Sequence, residues 1–379
     1  MCELHISSSG NVTIDTLFRL LSNSPGSVLF PKLETLLWDD HRKCIPLTFS
    51  RLFLSPRLRY VGLYSVFGLH DVPRSQLEAL AKFISSLPTS LQDLYIMCNW
   101  GAWEPLQDAV SSFVCRCGQS LRSLNTRVPL SEAAVHHLTR LPNLHRWMTV
   151  QGPPPTVPTS MFPSLEYLDL DEPAALPWIH LLASHEEAIP RDGFTSAISH
   201  SNIRETLQFI YCRGIIIIDS KSLPSIVKFR NLVELCLFTD CLVGNCTFRL
   251  TDHDMETLTA ALPRLKAIQL GFPCNSNLCD ATVASLMSIS LNCLDLTVLE
   301  THFNTLEIVS DMRRLLDGGA GRGKAKCKLQ GLSVGYMPLE AREEDIETIA
   351  MGFTAIFPCL VGFLDVDGYW YEVGLKLGD

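Results

Sequence analysis

The chain has 379 residues, of which 47% are hydrophobic and 19% are charged, and its formal net charge is −9. An acidic chain lacks a general affinity for nucleic acid or anionic membranes, although a local basic patch can depart from the average. The most apolar stretch, residues 215–218, has the length of a strand. No apolar run approaches the roughly 18 residues that a membrane-spanning helix needs, so no membrane span is indicated.

The cysteine content bears on the cellular compartment. The chain has 14 cysteines, and its first residues lack the basic and apolar regions of a signal peptide. Cysteines in such a chain are expected to be buried free thiols rather than a disulfide framework. Cys98, Cys236 and Cys293 fall within or beside the strands predicted below, where cysteine acts as a small apolar residue. We therefore expect a cytoplasmic or nuclear protein.

A recurring apolar triplet, Leu-x-x-Leu-x-Leu or a close variant, predicts short strands along the whole chain. Its second and third members are two residues apart and therefore point to the same strand face, while the residues between them point towards solvent. One such strand cannot bury its apolar face without neighbours of the same kind. In chain order the predicted triplets are Leu33/Leu36/Trp38, Leu58/Val61/Leu63, Leu91/Leu94/Ile96, Leu121/Leu124/Thr126, Leu144/Trp147/Thr149, Leu165/Leu168/Leu170, a weak copy at Leu207 and Phe209, Leu232/Leu235/Leu237, Leu265/Ile268/Leu270, Leu291/Leu294/Leu296, Leu329/Leu332/Val334, and a final copy at Leu360 and Phe363.

The chain upstream of the first triplet resembles the end of a repeat. Residues 3–6 predict a strand and residues 13–21 predict an amphipathic helix. An uncapped solenoid end exposes core, so terminal caps are expected. Two explanations stay open: a partner covers this end, or further sequence precedes it.

Between the triplets the apolar period changes from two to 3.6 residues, which predicts helices. Several of these helices end at Leu-Pro or Phe-Pro just before the next triplet, because proline cannot continue a helix and favours an extended preceding residue. The pattern predicts one α/β leucine-rich repeat solenoid over residues 1–379, with about twelve irregular repeats. We expect a parallel strand sheet on its concave side and helices on its convex side. The clearest predicted helices cover residues 74–87, 252–262, 281–288, 303–316 and 343–357.

The junction pattern [Leu/Phe]-Pro-x-Leu-x-x-Leu-x-Leu, at 141–149, 162–170 and 262–270, resembles the repeat region of fungal F-box proteins, especially the large basidiomycete sets. The resemblance covers nearly the whole chain, and its motifs are shared by long leucine-rich repeats in general. It implies a substrate receptor of a cullin-type ubiquitin ligase, in which an F-box binds a Skp-type adaptor while the repeats hold the protein to be ubiquitinated. No F-box-like Leu-Pro-x-Glu/Asp-[Leu/Ile] segment precedes the first repeat.

The residues between and just after the triplets are candidates for a partner-binding surface. They would line the concave face, which solenoids commonly use for binding. The tyrosines among them are favoured, because tyrosine and arginine are enriched at interface hot spots, although exposed aromatic residues also occur by chance. The candidates are Tyr60, Tyr64, Asp93, Tyr95, Arg127, Arg146, Tyr167, Asp169, Asp171 and Glu234, with Thr35, Asn125, Phe238, Gln269 and Asp295 as further members of the face.

A glycine-rich stretch, residues 318–324, matches G-x-x-x-x-G-K but continues with Ala325 where a phosphate loop has a hydroxyl. A helix is predicted before it and a strand after it, which is the reverse of the phosphate-loop context. A flexible helix-to-strand loop is therefore favoured over nucleotide binding. The surrounding basic residues form either a solvated surface or a docking patch for an acidic partner; they are Arg313, Arg314, Arg322, Lys324, Lys326 and Lys328.

No other pattern indicates chemistry. Cys115 and Cys117, like Cys241 and Cys246, lack the paired spacing that zinc sites need. No catalytic serine elbow or cysteine–histidine setting is present. The sequence predicts a non-catalytic protein-recognition module without cofactor or metal, and the resemblance to fungal F-box proteins implies a ubiquitin-ligase setting. The alternatives are a stand-alone scaffold or inhibitor and, less favoured, a nucleotide-binding protein that uses residues 318–324.

Overall fold

The computed structural model describes residues 3–7, 28, 30–39, 52–64, 74–97, 104–150, 161–170, 177–179, 182, 203–213, 217–221, 223–238, 247–271, 280–305, 307–318, 326–334, 343–363, 373 and 377. The chain divides into two compact units. The first comprises Met1–Asp169 with Gly193–Ile203, and the second comprises Leu170–Asp192 with Arg204–Asp379. A single domain over residues 1–379 therefore stays a prediction.

The first unit alternates strands and helices. Its strands follow one another in chain order across the sheet, and β1 to β6 pair in parallel. The strands are β1 (Glu3–Ser7), β2 (Thr35–Asp39), β3 (Tyr60–Tyr64), β4 (Asp93–Met97), β5 (Ser123–Thr126), β6 (Arg146–Thr149) and, at the boundary of the unit, β7 (Tyr167–Leu170). The helices are α1 (Arg74–Ser85), α2 (Glu104–Arg116) and α3 (Glu132–Thr139).

The second unit repeats this arrangement. Its sheet runs in the order β8 (Phe209–Cys212), β10 (Glu234–Leu237), β12 (Ala267–Leu270), β13 (Val298–Thr301), β14 (Gly331–Ser333) and β15 (Gly362–Phe363). A separate parallel pair joins β9 (Ile217–Asp219) and β11 (Thr247–Arg249). The described helices after β7 are α4 (Ile203–Thr206), α5 (Leu223–Ile226), α6 (Asp252–Ala261), α7 (Val283–Asn292), α8 (Ile308–Asp317) and α9 (Glu343–Ile356).

The predicted fold class is confirmed: each unit is an α/β leucine-rich repeat structure with parallel strands. The triplets at Leu33, Leu58, Leu91 and Leu265 are buried throughout, as their spacing predicts. Helix residues such as Phe83 supply the other side of the core, because one apolar helix face covers one apolar strand face. Within the described residues, no helix is long and apolar enough to cross a membrane.

Two predicted triplets are out of register. Near residue 207 the buried members are Leu207, Ile210 and Cys212, and Phe209 lies on the opposite strand face. Near residue 291 the buried members are Leu296, Leu299 and Thr301.

The second error has an identifiable cause. Leu291 and Leu294 match the consensus better, but they are 52% and 44% exposed. Leu291 lies in the last turn of helix α7, and the buried Cys293 occupies the helix-end position that Leu or Phe fills in several other repeats. The small apolar Cys293 stands at the helix end and the β-branched Thr301 at the third core position, where leucine is expected.

The described cysteines are free thiols, and most are buried: Cys117, Cys212, Cys236, Cys293 and Cys327. Cys115 and Cys359 are exposed, in contrast to the buried thiols expected for the chain. Cys98 lies outside the described residues, as does the predicted helix over 13–21.

A polar residue just before the first member of a triplet links successive repeats. The Ser120 hydroxyl donates to the carbonyl of Thr89 at 2.6 Å, and the Asn143 amide donates to the carbonyl of Gln119 at 2.7 Å. The same link is made by Ser164 to Pro142, by Asn231 to Glu205 and, as a side-chain pair, by Lys328 to Asp295. Asp295, predicted on the strand face, lies in this turn instead.

One carboxylate caps the helix of the following repeat. Asp252, in the first turn of α6, accepts hydrogen bonds from the backbone N–H of Thr282 at 2.7 Å and of Ser285 at 3.1 Å, and from both hydroxyls. These N–H groups lie at the start of α7, where intrahelical acceptors are missing. Burial would raise the pKa of Asp252, but the hydrogen bonds from Ser285 and Thr282 outweigh it and hold the pKa below its ordinary value.

The register of β13 predicts which leucines support the core. Leu296→Ala removes a fully buried side chain, so it should lower the free energy of unfolding by about 2–5 kcal/mol. Leu291→Ala removes an exposed one and should cost within about 0.5 kcal/mol. Urea denaturation of both variants measures this, and equal losses would contradict the register.

The Asp252 cap predicts a pH-dependent contribution to stability. Asp252→Asn should destabilise the fold at neutral pH by about 1–3 kcal/mol, because the charged acceptor of these partly buried donors is lost. A depressed folded pKa gives stability that is present above the unfolded value of 3.8 and is lost as the pH falls through the lower folded value. The difference between wild type and variant should therefore shrink below about pH 4. A difference that is constant with pH, measured by urea denaturation, would contradict the charged cap.

Candidate recognition face on the strands of the first unit

Strand pairing arranges the candidate residues of the first unit in rows. We call the strand side chains opposite the buried triplets the open face. Parallel register places Tyr60 beside Asp93, Asp93 beside Ser123, and Ser123 beside Arg146. A second row contains Gly62, Tyr95 and Asn125. Because neighbouring strands lie about 4.8 Å apart, the rows bring residues from different repeats into contact.

Three predicted tyrosines form one cluster on this face. The rings of Tyr60 and Tyr95 stack with their centroids 5.3 Å apart and their planes at 25°. The hydroxyls of Tyr60 and Tyr64 are 2.6 Å apart and hydrogen-bonded, and the Ser123 hydroxyl donates to the Tyr95 hydroxyl at 3.0 Å. All three tyrosines keep part of their surface exposed. They therefore form a partly exposed aromatic platform whose hydroxyls are held in place.

Gly62 makes this cluster possible. Tyr60 and Tyr64 are four residues apart on one strand and point to the same face, so their rings meet above Gly62. A Cβ atom at Gly62 would lie 2.5 Å from Tyr64 Cε2, 3.0 Å from Leu37 Cδ2 and 3.1 Å from Tyr60 Cε1. Glycine is needed here for space rather than for an unusual backbone angle, since its φ is not positive.

The electrostatics of the face centre on Asp93. Burial raises the pKa of its carboxyl group above the ordinary value, although the guanidinium groups of Arg122 and Arg146 lower it. Burial and the hydrogen bond to Tyr64 also raise the pKa of Tyr60, so this phenol stays protonated at neutral pH. The Arg146 guanidinium carbon lies 4.4 Å from the centroid of the Tyr167 ring, a cation–π contact.

The other four candidates of the strand face lie in four different settings. Arg127 is half-buried in the first unit, while Asp171 lies outside the described residues. Asp169, predicted to face solvent, is only 4% exposed, so it offers little surface to a partner. Glu234 belongs to the second unit, where it accepts a hydrogen bond from the Tyr211 hydroxyl. A period-two pattern gives the direction of a side chain but not what covers it.

Most of the described basic candidates within and after α8 are ion-paired. Arg313 contacts Asp345 at 2.8 Å, Arg314 contacts Asp311 at 2.5 Å, and Lys328 contacts Asp295 at 2.7 Å. Lys326 is exposed. Arg322 and Lys324, with nearly all of the 318–324 loop, lie outside the described residues.

Sequence reasoning missed Gly62, Arg122 and Ser123. Gly62 had a usable signal, because a glycine between two tyrosines of one strand face leaves room for both rings. Arg122 and Ser123 had none, since their roles depend on residues of neighbouring repeats. Within the part of the chain that the structure describes, no group of three or more His, Cys, Asp or Glu side chains could hold a metal ion.

Comparison with known proteins assigns no family to the chain. No protein-family model matches it, and no curated protein does. Among solved structures, the crystal structure of the Rad7 and Elc1 complex in yeast is similar with a TM-score of 0.42 and 13% sequence identity. The match covers 88% of this chain and 87% of that chain. A similarity of this size adds nothing to the fold that strand pairing shows directly.

The packing over Gly62 predicts the reactivity of Tyr60. Gly62→Ala should separate the rings of Tyr60 and Tyr64, because the added Cβ overlaps the Tyr64 ring. Tyr60 would become more accessible and lose the contacts that raise its pKa. Nitration of Tyr60 by tetranitromethane, followed by peptide mass spectrometry, should be faster in the variant.

Gly118→Ala is the matched control for this substitution, because a Cβ there meets nothing within 4 Å. It should leave the nitration rate of Tyr60 unchanged. An unchanged rate in Gly62→Ala as well would contradict the role of Gly62 in holding the cluster.

Proposed function

We propose that the chain is a non-catalytic protein-recognition module and that the open face of its first unit binds the partner. The tyrosine cluster is the observation that carries this proposal. Tyr60, Tyr64 and Tyr95 present large ring surfaces that are already ordered by stacking and hydrogen bonds. Tyrosine provides contact area at a low cost in conformational entropy, and preorganised groups lose least on binding.

The neighbouring charges suit recognition rather than catalysis. Asp93 faces the guanidinium groups of Arg122 and Arg146, and Arg146 covers the Tyr167 ring. Such a mixture of aromatic and charged groups offers both contact area and directional hydrogen bonds, as protein interfaces do.

We further propose that the module selects substrates for a cullin-type ubiquitin ligase. This finer proposal depends on the resemblance of the junctions at 141–149, 162–170 and 262–270 to the repeats of fungal F-box proteins. A stand-alone scaffold or inhibitor is the competing function, because the tyrosine cluster supports either one equally.

Affinity purification of the tagged chain from its own cells, with partners identified by mass spectrometry, tests both the recognition function and the ubiquitin-ligase setting. Wild type should retain a stoichiometric partner. A Tyr60→Ser/Tyr95→Ser double variant should bind this partner at least about 10-fold more weakly, because truncating two hot-spot residues costs at least ~1.4 kcal/mol of binding free energy. Tyr211→Ser, on the strand face of the second unit, is the matched control and should retain the partner.

Three results would change this interpretation. A different partner, without a Skp-type adaptor and cullin, favours the scaffold or inhibitor, whereas recovery of that adaptor and cullin supports the ligase setting. Equal recovery by the double variant places the binding surface elsewhere. The absence of any protein above background contradicts the recognition function itself.

A further inference from the structure

A second feature borders the tyrosine cluster in the first unit, at the N-terminal ends of the strands. Successive backbone hydrogen bonds join neighbouring repeats there: Arg59 N–H donates to the carbonyl of Glu34, Gln92 N–H to that of Arg59, and Arg122 N–H to that of Gln92. These residues are therefore stacked at intervals of about 4.8 Å, one from each repeat. Arg59 directly precedes Tyr60, and Arg122 directly precedes Ser123, which binds Tyr95.

This edge is rich in exposed arginine. We call Arg57, Arg59, Arg122 and Arg146 the arginine edge; all four are exposed. Within the described residues, Arg57, Arg59 and Arg122 form no salt bridge, in contrast to Arg313, Arg314 and Lys328 in the second unit. Asp93 interacts with two of the four guanidinium groups. Glu34 is the one carboxylate among the described residues that line the depression described next.

The arginine edge contains a shallow depression of about 490 Å³. Arg57 and Arg59 line it together with Pro56, the polar residues Ser90, Gln92 and Ser120, and Glu34. The four guanidinium groups outnumber the nearby carboxylates of Glu34, Asp93 and, further along the same row, Glu166, so this edge is locally positive in a chain whose net charge is −9. A locally positive, hydrogen-bonding depression is complementary to carboxylates and steers acidic ligands towards it.

We propose that the partner segment recognised by the open face is an acidic peptide. Its Asp or Glu carboxylates bind the arginine edge, while an adjacent apolar or aromatic side chain lies on the rings of Tyr60 and Tyr95. This inference depends on the proposed recognition function and adds the chemistry of the ligand. A locally positive edge attracts phosphate as well as carboxylate. An unmodified acidic segment is the occupant we propose, and a phosphorylated segment is an outcome of the test below.

Selection of peptides from a random dodecamer library displayed on phage, against the purified full-length chain, tests the proposal. Enriched peptides should contain clustered Asp or Glu beside an aromatic or aliphatic residue. A labelled peptide from the selection should then bind Arg59→Glu/Arg122→Glu at least about 10-fold more weakly than wild type. Its affinity for wild type should fall as salt is added, because salt screens exposed charges.

Two controls separate binding from folding. Arg74→Glu/Lys82→Glu makes the same change of charge at two exposed positions of α1 and should bind the peptide like wild type. Arg122→Lys keeps the charge and should retain part of the affinity. Thermal unfolding should remain cooperative in all variants, because the substituted side chains are exposed, and only Arg122→Glu should lower the midpoint slightly, because it removes a positive charge beside Asp93.

The outcomes distinguish failure of the acidic ligand from failure of the recognition function. Neutral or basic selected peptides, or acidic peptides that bind the double variant as well as wild type, overturn the acidic ligand while leaving the recognition function intact. Preference for a phosphorylated version of the same peptide, or for single-stranded RNA, also overturns it. If no peptide is enriched above uncoated beads, the acidic ligand is overturned, and the purification from cells decides the recognition function separately.

Discussion

Parallel strand pairing between consecutive repeats is the constraint on which the rest of the structure depends. A strand of four or five residues cannot satisfy its own backbone, so each repeat must donate to the one before it. In the first unit the N–H group of Arg59 binds the carbonyl of Glu34, and Arg122 binds Gln92 in the same way. This pairing fixes the register of the strands, and the register in turn decides which side chains from different repeats become neighbours.

The same constraint explains why residues other than leucine can occupy core positions. Small or polar residues occupy core positions where the repeat offers them a hydrogen bond. The buried Thr126 hydroxyl accepts from the N–H group of Val128 at 3.0 Å, and the Cys293 thiol donates to the carbonyl of Leu262 at 3.6 Å. Burial raises the pKa of Cys293 to about 12, so the thiol remains a protonated donor. Most buried polar groups in proteins are paired in this way; the buried Thr301 and Ser333 hydroxyls are exceptions among the described residues.

On the open face the register combines shape with charge. Stacking of Tyr60 on Tyr95 joins two repeats, and the Asp93, Arg122 and Arg146 charges come from three successive repeats. The aromatic platform and the arginine edge are therefore one continuous surface, because they share the same strands. Contact area comes from the tyrosines and orientation from the charges, the two properties that a peptide-binding surface needs.

The sequence by itself determined the fold class, most of the buried triplets and the direction in which Tyr60, Tyr64 and Tyr95 point, because these follow from periods of two and 3.6 residues along one segment. It also gave the candidate residues, but not their grouping. Only the tertiary structure decided that Asp169 is covered, that Leu296 rather than Leu291 begins its core triplet, and that Gly62 and Ser123 support the tyrosine cluster. The physical reason is that burial, stacking and paired charges depend on the neighbouring repeat. Strand pairing brings together repeats that are 21 to 42 residues apart in the chain, which a local pattern does not record.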